Sequence, residues 1–126
     1  MHRILVAEDE NNIREPLCGV LKKSYSVKSA QDGGRALEMI SKEGFDLLIT
    51  DLKMPNADGI ELLEAYKKTN PGGMVIVITA FSSIQNAVEA MKAGADEYVP
   101  KPFSLDEIEL KVKNLLRIKD LSLIHI

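Results

Sequence analysis

Two stretches of this sequence place carboxylates where a reacting group is expected. Glu8-Asp9-Glu10 follows the apolar run Ile4-Leu5-Val6-Ala7, and Asp51 follows Leu47-Leu48-Ile49-Thr50. Two more runs end in groups suited to phosphate: the Thr79 hydroxyl after Met74-Val75-Ile76-Val77-Ile78, and the Lys101 ammonium after Asp96 to Pro100. Three carboxylates brought within a few ångströms cannot all stay ionised without a counter-charge. A hard divalent cation, Mg²⁺ or Mn²⁺, removes that conflict and retains part of its water shell. With the charge offset by such an ion and by Lys101, Asp51 is able to attack phosphorus and form an aspartyl-phosphate. Positioning and charge neutralisation then carry nearly all of the catalysis. Each group alone has a plainer explanation, since acids suit a helix start, threonines end strands and lysines coat surfaces. Their joint occurrence at successive strand ends is what points to chemistry.

Bringing those groups together requires the strands to lie side by side. Leu47-Leu48-Ile49 and Met74 to Ile78 are continuous apolar runs, the pattern of parallel strands buried on both faces. Tyr25 to Ala30 predicts a second strand, and Asp96 to Pro100 a short polar strand at an edge. Asn12 and Glu15 predict a capping box for the first helix, with Ile13, Leu17, Val20 and Leu21 as its stripe and Pro16 in its first turn. Asp32-Gly33-Gly34 predicts a turn before a second helix carrying Ala36, Leu37 and Ile40 and ended by Gly44. Ile60, Leu62, Leu63 and Tyr66 mark the third helix, closed by Asn70-Pro71-Gly72-Gly73. Ser82 and Ser83 are candidate caps for a fourth, with Ile84, Ala87, Val88 and Met91, ended by Gly94. Ser104 and Glu107 form a second capping box before Ile108, Val112, Leu115 and Leu116. Five strand–helix units predict an α/β fold, a parallel sheet with helices on both faces. Ligands of such sheets gather at the carboxyl ends of the strands.

Composition narrows the class. The 126 residues suit one domain, 45% of them hydrophobic and 28% charged. A formal net charge of −3 argues against direct nucleic-acid binding. The lone cysteine, Cys18, allows no intrachain disulfide and reads as a small buried hydrophobe. No apolar stretch approaches the roughly 20 residues that span a bilayer, and Met1-His2-Arg3 leads straight into a strand rather than a signal peptide. The expectation is a cytoplasmic protein that does not engage membranes. Residues 1–119 form the expected domain, and 120–126 a tail: the start of a linker, an oligomer contact or a remnant of cloning.

Val6-Ala7-Glu8-Asp9-Glu10, Asp51-Leu-Lys-Met-Pro-Asn-Ala-Asp-Gly59, Val77-Ile78-Thr79-Ala80, Gly94-Ala95-Asp96-Glu97-Tyr98 and Lys101-Pro102-Phe103 occur in order and at the right spacing to resemble the receiver domain of two-component response regulators. The resemblance reaches to about Arg117 and implies a flavodoxin-like, doubly wound (βα)5 sheet with strand order 2-1-3-4-5. It implies Asp51 as phosphoacceptor from the phosphohistidine of a sensor histidine kinase. It further implies Mg²⁺ held by Glu8, Asp9, Asp51 and the backbone carbonyl of Lys53, and Lys101 as phosphoryl anchor. Thr79 and Tyr98 are the implied switch pair, and the Lys101–Pro102 bond is expected to be cis. Asp-Leu-Lys-Met-Pro, Ile-Thr-Ala-Phe and Ala-Val-Glu-Ala-Met-Lys-Ala-Gly-Ala look most like the nitrogen-regulatory protein C subfamily, whose receivers precede an ATPase and a DNA-binding domain.

Other readings fit less well. A phosphatase of the haloacid dehalogenase type needs a second Asp two residues after its nucleophile, where this chain has Lys53. A flavodoxin-like flavin protein needs a phosphate-cradling loop after its first strand, where Glu8-Asp9-Glu10 would repel the anion. A receiver used only as a scaffold would not need the full acceptor set. Such a domain catalyses only its own phosphorylation and dephosphorylation. Lys53 and Phe81, two positions beyond Asp51 and Thr79, are the expected gatekeepers of attacking water. The fourth helix is expected to be less firmly packed than its neighbours. With the fifth strand and last helix it forms the expected docking face for an output domain or a second copy.

Overall fold

The computed structural model describes residues 1–80 and 83–124, the last three of these in backbone only. Five strands alternate with five helices: β1 Arg3–Ala7, α1 Asn11–Leu21, β2 Ser26–Ala30, α2 Gly33–Lys42, β3 Leu47–Thr50, α3 Gly59–Thr69, β4 Met74–Thr79, α4 Ile84–Ala93, β5 Glu97–Pro100 and α5 Leu105–Ile124. The strands form one parallel sheet in the order β2-β1-β3-β4-β5, as the resemblance implied.

Alternation along the central strands divides the core in two. Leu5 and Ala7 of β1, Leu48 of β3 and Val75 and Val77 of β4 face Met39 and Ile40 of α2, Leu62, Leu63 and Tyr66 of α3 and Ala90 of α4. Ile4, Val6, Leu47, Ile49, Ile76 and Ile78 face Leu17 and Leu21 of α1 and Ile108, Val112 and Leu116 of α5. Both faces are therefore covered, which explains why β3 and β4 read as unbroken apolar runs. Cys18 is buried in the second cluster, and burial raises its thiol pKa, consistent with an inert packing role.

Local signals were right about most elements and wrong about some starts. The Asn12–Glu15 capping box does not form: α1 begins at Asn11, and its N-cap is Glu10, without a side-chain cap bond. The earlier start puts Pro16 inside the helix, on its exposed side, rather than in the first turn. Asp32 is an N-cap and not part of a free turn: its carboxylate accepts from Arg35 N–H at 2.7 Å, so Gly33 and Gly34 are already helical. Gly33 is needed there, because a Cβ would lie 2.0 Å from the Ala57 carbonyl oxygen. Ser83 caps α4, accepting from Asn86 N–H at 3.1 Å, and Ser104 accepts from Glu107 N–H at 3.1 Å. Ser82 lies outside the described residues. Gly94 ends α4 in the left-handed region at φ 117°, where glycine is the low-cost residue. Helix α5 runs on to Ile124, so the backbone of 120–124 continues the last helix.

Candidate functional site

Because all five strands are parallel, their carboxyl ends share one edge of the sheet. That edge collects Glu8 after β1, Asp51 after β3, Thr79 at the end of β4 and Lys101 after β5. Asp51 is buried, at 4% exposure, and its backbone N–H donates to Ala7 at 3.2 Å. Its Oδ1 accepts from Leu52 N–H at 2.6 Å and more weakly from Lys53 N–H at 3.4 Å; its Oδ2 accepts from Lys101 Nζ at 2.7 Å. The loop after Asp51 doubles back on it. Gly59 N–H donates to the Leu52 carbonyl at 2.8 Å, and a Cβ on Gly59 would come within 2.0 Å of the Asp51 carbonyl oxygen. Only a glycine lets the first turn of α3 pack so closely behind the aspartate.

Lys101 is the hub of the site. Besides Asp51, its ammonium stands 2.7 Å from Glu8 Oε1 and 3.3 Å from Glu10 Oε1. The Lys101–Pro102 bond is cis, as expected from the resemblance, and Lys101 N–H donates to the Thr79 carbonyl at 2.8 Å, tying the β5–α5 turn to β4. Burial works against the ammonium, yet its hydrogen bond to Asp51, its close contact with Glu8 and the charges of both carboxylates outweigh that cost and raise its pKa. Glu8 is fully buried. Desolvation raises its carboxyl pKa, opposed by Lys101 and by the Glu10 N–H, which donates to Oε2 at 3.2 Å.

One lysine faces four acids. Ligand oxygens of Glu8, Asp9, Glu10 and Asp51 all lie within 4.8 Å of one another. Although Lys101 is close, Glu8 Oε1 is fully buried and receives no well-directed hydrogen bond, so it is electrostatically paired but still short of a directed partner. A buried acceptor in that condition is costly to retain. An all-oxygen donor set with excess negative charge, one oxygen lacking a directed donor, suits a hard divalent cation. The residues therefore fit Mg²⁺, with Glu10 adding an acid beyond the expected metal set of Glu8, Asp9 and Asp51.

Of the residues expected at the site, Asp51, Glu8, Asp9 and Lys101 come together directly. Lys53 follows Asp51 on the exposed side and helps line a small cavity of about 100 Å³ with Asn86 and Glu89 of α4. Thr79 is fully buried at the end of β4. Tyr98 lies on β5 opposite Val77 of β4, partly buried against the cluster of α2, α3 and α4, with its pKa raised by burial and then by the Asp51 charge. Phe81, the expected gatekeeper, lies outside the described residues. The reading missed Arg14, a helix residue that is almost completely buried behind the acidic turn. An isolated arginine beside an apolar stripe carries no sequence signal for burial.

The profile of the "Response regulator receiver domain" matches residues 4–113. Response regulator MprA of Mycobacterium leprae is 40% identical over 116 residues, covering 91% of this chain and 51% of MprA. Among solved structures, a CheY-like response regulator receiver domain from Methanospirillum hungatei is 33% identical with a TM-score of 0.93, covering 97% of this chain and 98% of that one. The beryllofluoride-activated NtrC4 receiver domain dimer is 33% identical with a TM-score of 0.87, covering 94% and 99%. The chain belongs to the response regulator receiver domain family, the phosphorelay modules of two-component systems. It spans about half the length of the curated relatives it matches.

Proposed function

We propose that Asp51 is the phosphoacceptor of this receiver and takes its phosphoryl group from a histidine kinase phosphohistidine. The observation that carries the reading is the buried Asp51 carboxylate with Lys101 2.7 Å from one oxygen and three more acids around it. In the transfer, an Asp51 oxygen forms the new O–P bond as the P–N bond to the kinase imidazole breaks, and the imidazole leaves with the electron pair. Lys101 then exchanges its contact with Asp51 for one with a phosphoryl oxygen, and the Thr79 hydroxyl donates to another. Glu8, Asp9, Asp51 and the Lys53 carbonyl are the proposed holders of Mg²⁺ or Mn²⁺. When bound, such an ion neutralises charge on the phosphoryl oxygens. The chain is not a dedicated enzyme on this reading; it catalyses only its own phosphorylation and dephosphorylation.

Output follows from the same groups. Phosphorylation adds charge and acceptor oxygens at one point, so a bistable element has to sense them. Drawing Thr79 toward the phosphoryl group vacates space beside β5 into which Tyr98 turns. The face that changes is α4–β5–α5, where Ile84, Val88 and Met91 are exposed on α4. An output domain or a second copy docks there; the dimeric state of the NtrC4 receiver supports the second-copy form. The same likeness supports placing the chain beside the nitrogen-regulatory protein C subfamily, with a role in transcription through domains beyond 1–119. Residues 120–126 then begin the linker. A cytoplasmic place, with contact to neither membrane nor nucleic acid, belongs to the same proposal; no helix among the described residues is long and apolar enough to cross a membrane. Incubation with acetyl phosphate and Mg²⁺ followed by intact mass tests the core of this proposal. One phosphoryl adduct is expected on the wild type and none on Asp51→Asn or without a divalent ion. Full labelling of Asp51→Asn would sink it.

A further inference from the structure

Arg14, at 4% exposure, is the most deeply buried cationic side chain among the described residues, and the proposed chemistry does not use it. Its Nη1 donates to the backbone carbonyl of Glu8 at 2.8 Å, and Nη2 donates to the Asn11 side-chain oxygen. Its nearest carboxylate is Glu15, 3.8 Å away and well exposed, so the guanidinium is buried without a close ion pair. Taking a cation out of water is expensive and is sustained only when its hydrogen bonds are met. Here they are met by the turn that carries the acids.

The backbone of Glu8 is held on both sides. Its N–H donates to the Ala30 carbonyl at 3.1 Å, which anchors it to β2, and its carbonyl is gripped by Arg14. That carbonyl belongs to the same peptide plane as the Asp9 N–H, so its direction sets how the chain leaves Glu8 and where Asp9 points. Asp9 needs such outside help. It is exposed, and it is not among the three acids that Lys101 pairs with. We propose that Arg14 is a positioning residue for the metal site: its guanidinium fork fixes the Glu8–Asp9 peptide so that both carboxylates converge on a divalent cation. This rests on the reading of Glu8, Asp9 and Asp51 as the metal holders.

Geometry and electrostatics make opposite forecasts here. If Arg14 acted only through its charge, removing it would tighten Mg²⁺ binding, because one cation would no longer oppose another. If Arg14 acts by holding the turn, binding weakens both when the charge is lost and when it is kept on a side chain without the planar fork. Lysine cannot bridge Glu8 and Asn11 as a guanidinium does. The experiment is a calorimetric Mg²⁺ titration of wild type, Arg14→Gln and Arg14→Lys, with phosphorylation by acetyl phosphate measured across Mg²⁺ concentrations. We expect the Mg²⁺ Kd to rise about tenfold in both variants, the scale seen when groups orienting metal ligands are removed. The half-saturating Mg²⁺ for phosphorylation should rise with it, while the rate at saturating Mg²⁺ stays near wild type. A Kd that is unchanged or lower in Arg14→Lys overturns the proposal, and this variant decides the matter if Arg14→Gln does not fold. If wild type itself neither binds Mg²⁺ nor labels at Asp51, it is the reading of the site that fails, and the two failures are distinct.

Discussion

Helices α3 and α4 lie against the same side of the sheet and differ by one residue in length, 11 against 10, yet they are held very differently. α3 buries Gly59, Leu62, Leu63 and Tyr66, and the Tyr66 hydroxyl donates to the Phe45 carbonyl at 2.7 Å. α4 buries only Ala90, and Ile84 stands 85% exposed beside Val88 and Met91. The contrast follows from what each helix has to do. The start of α3 packs against the backbone of Asp51, so any movement there would disturb that carboxylate. α4 follows the end of β4 and supplies none of the clustered acids, nor Thr79, nor Lys101. Local stability in a protein ranges from nearly nothing to the global value, and elements that move are drawn from its lower end. On the proposed reading, one helix is a foundation and the other a lever.

The sharpest way to break this contrast is to truncate a buried leucine in α3. Leu62→Ala should destabilise the fold by about 2–5 kcal/mol, the usual cost of an unfilled core cavity, measured by urea unfolding. A cost under about 1 kcal/mol would mean that α3 is no better seated than α4. The next largest effect concerns Tyr66. Removing its hydroxyl strands the buried Phe45 carbonyl, so Tyr66→Phe should cost about 1–3 kcal/mol at neutral pH. Burial, then the charges of Asp46 and Asp96, raise the Tyr66 pKa in the folded state. A group raised in this way contributes stability in full below its unfolded value and loses it as pH climbs toward its folded one. Wild type should therefore lose stability more steeply than Tyr66→Phe as pH rises above about 10, the ordinary tyrosine value. Parallel curves would show that Tyr66 ionises as freely in the folded protein as in the unfolded one.

Smallest of all should be truncations on α4. Val88→Ala and Met91→Ala should each change stability by no more than about 0.5 kcal/mol, as exposed positions do. Their effect should instead appear in partner binding once the protein is phosphorylated, read as weaker self-association by sedimentation. Loss of several kcal/mol from either would place α4 in the core and leave the lever without play. On the response side, Thr79→Ala should shrink the NMR shifts that beryllofluoride induces in α4 and β5 while leaving those around Asp51. Equal shifts in both proteins would remove Thr79 from the switch.

The sequence was most legible where one physical constraint acted alone. Leu47-Leu48-Ile49 and Met74 to Ile78 had to be strands covered on both faces, and parallel order then brought Asp51, Glu8, Thr79 and Lys101 to one edge. Ser83, Ser104 and Gly94 were read correctly because capping is local chemistry. It was least legible where two signals competed. Asn12 and Glu15 match a capping box, but the turn after Glu8 puts the N-cap two residues earlier, at Glu10. Asp32 looked like a turn residue because two glycines follow it, although Gly33 is there to clear the Ala57 carbonyl. Arg14 was hidden because its partners are a backbone carbonyl and a neighbouring amide side chain, neither of which leaves a pattern in spacing. The continuation of α5 through residues 120–124 was missed because an apolar run with no evident surface to cover does not announce its conformation.

The contrast between foundation and lever meets its most direct test in hydrogen–deuterium exchange of the free and acetyl-phosphate-treated protein with Mg²⁺, with Asp51→Asn alongside. The account predicts that phosphorylation changes exchange in Ile84–Ala93 and Glu97–Pro100, leaves Gly59–Thr69 as protected as before, and does neither in Asp51→Asn. Equal changes in α3 and α4, or a response in α4 that survives Asp51→Asn, would contradict it.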